Sequence, residues 1–72
     1  MGRVAAVNTI DIRRRLIRIG AAARSGDFEA AHSIEAEMFR DVLRAVADGK
    51  AGRTEALAAV QSLGLDFKRR YA

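Results

Sequence analysis

The sequence predicts an all-α protein: an antiparallel two-helix hairpin, a shorter third helix and an aromatic-anchored C-terminal tail that closes the apolar side. Three observations predict it. Apolar residues recur at steps of three and four through residues 12–23 and again through 28–46, the period of a helix. Capping residues and glycines stand at the ends of both stretches. The chain has no Pro, so those residues alone place the breaks. At 72 residues it is a single small domain, residues 1–72, with helices expected at about 9–24, 28–47 and 54–63.

Asn8 or Thr9 is the expected first cap, with Asp11 where a carboxylate suits a helix N-terminus. Ile12, Leu16, Ile19 and Ala23 form the buried stripe, and Ile10 and Ile17 lie off it, so helix 1 is expected to meet neighbours on two sides. Gly20 should allow another helix to come close. Arg24-Ser25-Gly26-Asp27 reads as the turn, with Ser25 or Asp27 capping the next helix and Gly26 free to take an unusual backbone angle.

The stripe of helix 2 reads Phe28, Ala31, Met38, Phe39, Val42, Leu43 and Val46, and Asp48-Gly49 ends it. After the polar connector Lys50-Ala51-Gly52-Arg53, Thr54 is the expected cap of helix 3, with Ala56, Leu57, Val60 and Leu63 facing inward. Gly64 followed by Leu65 fits a Schellman stop, and Leu65 and Phe67 should pin the tail to the bundle.

Composition excludes several chemistries. No Cys means no disulfide framework and no thiolate zinc site, and one His forbids a mononuclear site built on several histidines of one copy. Ser25, Ser33 and Ser62 share only His32 as a possible base, so no nucleophile–base constellation is expected. We therefore expect no enzymatic activity, no catalytic residues, no cofactor, no metal and no small-molecule substrate. No apolar run approaches the roughly 18 residues of a membrane span, and no signal-peptide pattern stands at the start. The expected location is cytoplasmic, away from membranes. Small domains bury only ~60% of their unfolded surface, so association with a second copy, as a homodimer, or with another protein is expected.

The formal net charge of +4 conceals a pattern: residues 1–26 carry +5, residues 27–49 carry −4 and residues 50–72 carry +3. Helix 1 holds Arg13, Arg14, Arg15 and Arg18, and the tail holds Lys68, Arg69, Arg70 and Tyr71. These are the candidate interaction residues, for protein or for nucleic acid, because cations displace condensed counterions from phosphates and Tyr71 can stack on a base. Pairing of the arginines with the acidic helix 2 is the competing expectation.

His32 and Glu35 fall inside the apolar stripe of helix 2, three residues apart and on one face. A buried carboxylate costs several kcal/mol, on the order of a whole domain's margin, unless it is paired. Glu35 is therefore expected to meet His32, an arginine of helix 1 or a group across a subunit interface. The order His-x-x-Glu reverses that of di-iron bundles, and the further carboxylates such a centre needs are not placed.

Two passages resemble known proteins. Ser25-Gly26-Asp27-Phe28-Glu29-Ala30-Ala31 resembles the turn entering a helix in tetratricopeptide-type hairpins. Glu29-Ala30-Ala31-His32-Ser33-x-Glu35, then Asp41-Val42-Leu43-Arg44-Ala45-Val46-Ala47-Asp48-Gly49, then Leu65-Asp66-Phe67-x-Arg69-x-Tyr71-Ala72 is similar to a group of short uncharacterised helical proteins of actinobacteria and their bacteriophages. The likeness spans about residues 27–72 and departs at Arg70, where that group often has Trp. It implies a phage or mobile-element origin and brings no activity with it. The function expected is thus a non-enzymatic protein–protein interaction module acting on a host or phage protein. The alternative is a small basic nucleic-acid-binding protein using helix 1 and the tail.

Overall fold

The computed structural model describes residues 7–65 and Phe67. Helix α1 spans Thr9–Arg24, α2 spans Phe28–Ala47 and α3 spans Arg53–Val60, followed by a 3₁₀ turn at Gln61–Gly64. No strand occurs among the described residues. The fold is all-α, as the hydrophobic period predicts.

Each break has a local cause. Asn8 Oδ1 accepts the Asp11 N–H at 2.8 Å and so caps α1. At the other end of α1, the Asp27 N–H reaches back to the Ala22 carbonyl at 2.9 Å and the Gly26 N–H to that of Ala23 at 3.0 Å. This is a Schellman closure, and Gly26 takes the left-handed angle it requires, φ 83°. Asp27, not Ser25, caps α2, its Oδ1 accepting the Ala30 N–H at 3.1 Å. The Ser25 hydroxyl instead donates to the Ala22 carbonyl. A three-residue turn between two extensively packed helices makes them an antiparallel hairpin. The end of α2 repeats the device, with Gly49 at φ 75° and the Lys50 N–H on the Ala45 carbonyl.

The third element departs from expectation. The α-helix ends at Val60, three residues early, and tightens into the 3₁₀ turn. Gly64 is not left-handed, so there is no Schellman stop; the Leu65 N–H closes the turn on the Ser62 carbonyl at 2.9 Å. Its N-cap is Gly52 and not Thr54, with the Glu55 carboxylate accepting the Gly52 N–H at 2.8 Å. The inward face also differs: Ala59 and Ser62 are buried, while Leu57, Val60 and Leu63 are half exposed or more. Small side chains let α3 lie close to the hairpin, and the hydroxyl of Ser62 is what that face contributes.

The core is Ile12 and Ile19 of α1, Ala31, Met38 and Val42 of α2, Ala59 of α3, and Phe67. Leu16, Ala23, Phe39 and Leu65 pack against it, so Leu65 and Phe67 do pack onto the bundle as expected, and the rest of the tail lies outside the described residues. Ile10 and Ile17 are each 62% exposed, so the second neighbour expected for α1 is not supplied by the described residues. Gly20 is buried, and among the described residues an added Cβ would meet within 4 Å only the Arg24 side chain of its own helix, at 3.3 Å.

Candidate interaction face

Helix α2 carries two apolar stripes side by side, each stepping four, three, four and three residues. The inner stripe is Ala31, Glu35, Met38, Val42 and Ala45, and it is buried except for the partly covered Ala45. The outer stripe is His32, Ala36, Phe39, Leu43 and Val46, rotated by about 100° in keeping with a one-residue offset. The single broad stripe expected from sequence is thus divided by α1 and α3, which together cover only one of its edges. Leu43 is 69% exposed and Val46 is 40% exposed, against 0% for Met38 and 4% for Val42.

Beside the outer stripe lies an open groove of about 680 Å³, lined by His32, Glu35, Ala36, Phe39, Leu43 and Leu63, with Arg40 and Arg44 on its rim. Leu63, on the 3₁₀ turn, is 59% exposed and forms the opposite wall. The groove is therefore apolar on both sides and basic along one edge.

Glu35 reaches toward the groove from the inner stripe and is only 2% exposed. The Ser62 hydroxyl, itself fully buried, donates to Glu35 Oε2. This contact joins α2 to the 3₁₀ turn over 27 residues of chain. Sequence reasoning required a partner for Glu35 and named His32, a helix 1 arginine or a second subunit, but missed Ser62. No local signal marks Ser62: it stands between Gln61 and Leu63, and its role emerges only where the chain returns over Glu35. His32 is half-buried, with its Nδ1 shielded from solvent. Among the described residues no cluster of three or more His, Cys, Asp or Glu could hold a metal ion.

The arginines of α1 separate into two roles. Arg15 turns inward: its Nε meets Asp11 Oδ2 and its Nη1 meets Asp41 Oδ2, both at 2.9 Å, joining α1 to the acidic α2. Burial acts to lower its pKa, but the bond to Asp41 and the charges of Asp11 and Asp41 outweigh it and hold the pKa above the usual arginine value. Arg13, Arg14 and Arg18 are exposed. None of these three makes an ion pair among the described residues. Arg14 and Arg18 border a second groove of about 430 Å³ that also holds Asp11, Glu37 and Asp41. The expected cluster is therefore one structural arginine and three at the surface. Lys68, Arg69, Arg70 and Tyr71 lie outside the described residues.

No described helix is long and apolar enough to cross a membrane. Compared with known protein families, curated proteins and solved structures, the chain matches none.

Proposed function

We propose that this protein is a non-enzymatic protein–protein interaction module whose working surface is the outer stripe of α2 and the adjoining wall at Leu63. The observation that carries the reading is the exposure of Leu43 and Leu63 on the two walls of one groove, 69% and 59%. Single exposed apolar residues are ordinary, but a row at helical spacing beside a concave surface is the pattern of helix-in-groove recognition. The likeness of residues 27–72 to short actinobacterial and phage proteins supports a phage or mobile-element origin. The module would then act on a host or phage protein in the cytoplasm.

Affinity capture from phage-infected host lysate tests this. A specific protein should be retained by the wild type, lost with Leu43→Asp and kept with Arg14→Glu. Retention of nothing but nucleic acid would end the proposal.

A second reading rests on a separate observation, the exposed side of α1 at Arg13, Arg14 and Arg18, which make no ion pair among the described residues. This side would contact a nucleic-acid backbone. Three phosphate contacts imply a slope of about −2.7 in log affinity against log salt, or roughly a forty-fold loss between 50 and 200 mM. Fluorescence anisotropy on a labelled duplex reads this directly. Binding with that slope, abolished by Arg14→Glu/Arg18→Glu, supports it; no binding at low salt removes it.

A further inference from the structure

We propose that the occupant of the outer stripe is a second copy of this chain, packed antiparallel so that α2 meets α2 across a two-fold axis near residues 36–39. The inference rests on the interaction-module reading and names the partner of that same face.

Spacing is the first argument. His32, Ala36, Phe39, Leu43 and Val46 advance by four, three, four and three residues. That is the seam of two helices packed at a shallow angle, knobs of one in the holes of the other. The inner stripe already uses this spacing within the hairpin, so α2 carries the seam twice, and the second is covered only in part by the described residues, at His32 and Phe39.

Size complementarity sets the direction. About an axis between residues 36 and 39, Phe39 lies opposite the partner's Ala36, and Leu43 opposite the partner's His32. Each large side chain then faces a smaller or flatter one. In the parallel arrangement Phe39 faces the partner's Phe39 and Ala36 the partner's Ala36, alternating collision with void.

Charge gives the same answer. Glu29 continues the stripe one step before His32 and, about the same axis, faces the partner's Val46, while Arg40 and Arg44 lie on the adjoining flank; all three are exposed. Antiparallel packing brings each flank against its own copy with ends reversed. Glu29 then stands beside the partner's Arg44, twice per dimer. The opposing helix dipoles are also matched in that orientation. The opposite flank of the stripe is covered by the chain's own hairpin, so only this flank is available for such pairing.

Sedimentation equilibrium on the full chain tests association, and circular dichroism checks that each variant stays folded. The wild type should reach twice its 7.8 kDa mass at high micromolar concentration. Leu43→Asp, a change at an exposed position, should be monomeric with unchanged helicity. Glu29→Arg and Arg44→Glu should each raise the dissociation constant roughly five-fold through the two symmetric pairs, and the double variant should recover wild-type association.

The chain has no Cys, so engineered thiols report direction without background. A mixture of His32→Cys and Leu43→Cys should give mixed dimers with a short bismaleimide, and neither variant should cross-link to itself. Self-linking of Leu43→Cys would overturn the antiparallel arrangement, and a wild type monomeric at 1 mM would overturn the dimer. If that monomer still captures a lysate protein that Leu43→Asp loses, only self-pairing falls and the interaction face stands. If the capture fails as well, both fall.

Discussion

The two stripes of α2 have the same spacing and sit on the same helix, yet they differ in almost everything that decides their role. The inner stripe meets α1 and α3, contains the buried Met38 and Val42, and fixes Glu35 against Ser62. The outer stripe meets an open groove, and Leu43 stands largely in water. Hydrophobic spacing alone does not say which stripe is core. The difference comes from how many helices are available to cover them, and the other two described helices cover one edge. A residue in the inner stripe should therefore be read by stability and a residue in the outer stripe by association.

That contrast can be broken first at Met38. Met38→Ala empties a fully buried volume in the core cluster and should cost about 2–5 kcal/mol. Urea unfolding below the dimer's dissociation concentration measures it, and a loss under 1 kcal/mol would show that the inner stripe is not the core. Ser62→Ala comes next. It leaves Glu35 Oε2 without the Ser62 hydroxyl at nearly constant volume, and should cost about 1–3 kcal/mol. The same unfolding experiment reads it, and a neutral result would mean the contact does not hold the 3₁₀ turn to α2.

Leu43→Ser should sharpen the comparison from the other side. Its effect on monomer stability should stay within about 0.5 kcal/mol, as for surface substitutions, while association is lost. Equal losses at Leu43 and Met38 would erase the distinction between the stripes.

The smallest effect is expected at Glu55. The Gly52 N–H bond holds its carboxyl below the usual glutamate range. Because the folded value lies below the unfolded one, the contribution is complete above the unfolded value. It disappears as pH falls through the folded value. Glu55→Gln should therefore lower stability slightly at neutral pH and converge with the wild type at acid pH, flattening the acid limb of the stability profile. A thermal-melting series from pH 7 to pH 3 shows it, and parallel curves for the two proteins would refute the assignment.

The helical hairpin was legible because its signals are local. Asn8, Asp27, Gly26 and Gly49 act on backbone groups within five residues of themselves, so their effects follow from sequence with little help from the rest of the chain. The third element was less legible. Leu57, Val60 and Leu63 looked like its inward face because they are its largest apolar residues, yet Ala59 and Ser62 took that place. A weakly patterned eight-residue helix is oriented by what receives it, and here the receiving surface holds a buried carboxylate in need of a donor.

The candidate site divides along the same line. His32 and Glu35 stood out in the sequence because polar groups interrupt an apolar period. Ser62 did not, because a serine between Gln61 and Leu63 carries no signal until the chain returns over Glu35. The arginine cluster was visible as a run, but its division was not: whether Arg15 faces Asp41 depends on the rotation of α1 against α2.

The sequence by itself determined three helices, the ends of the first two and the absence of thiolate chemistry, since period, capping and composition are properties of neighbouring residues. Only the tertiary structure decided which half of the α2 apolar surface is core, which arginine is structural and what satisfies Glu35. The last two depend on groups 26 and 27 residues apart, brought together by packing that no local signal encodes.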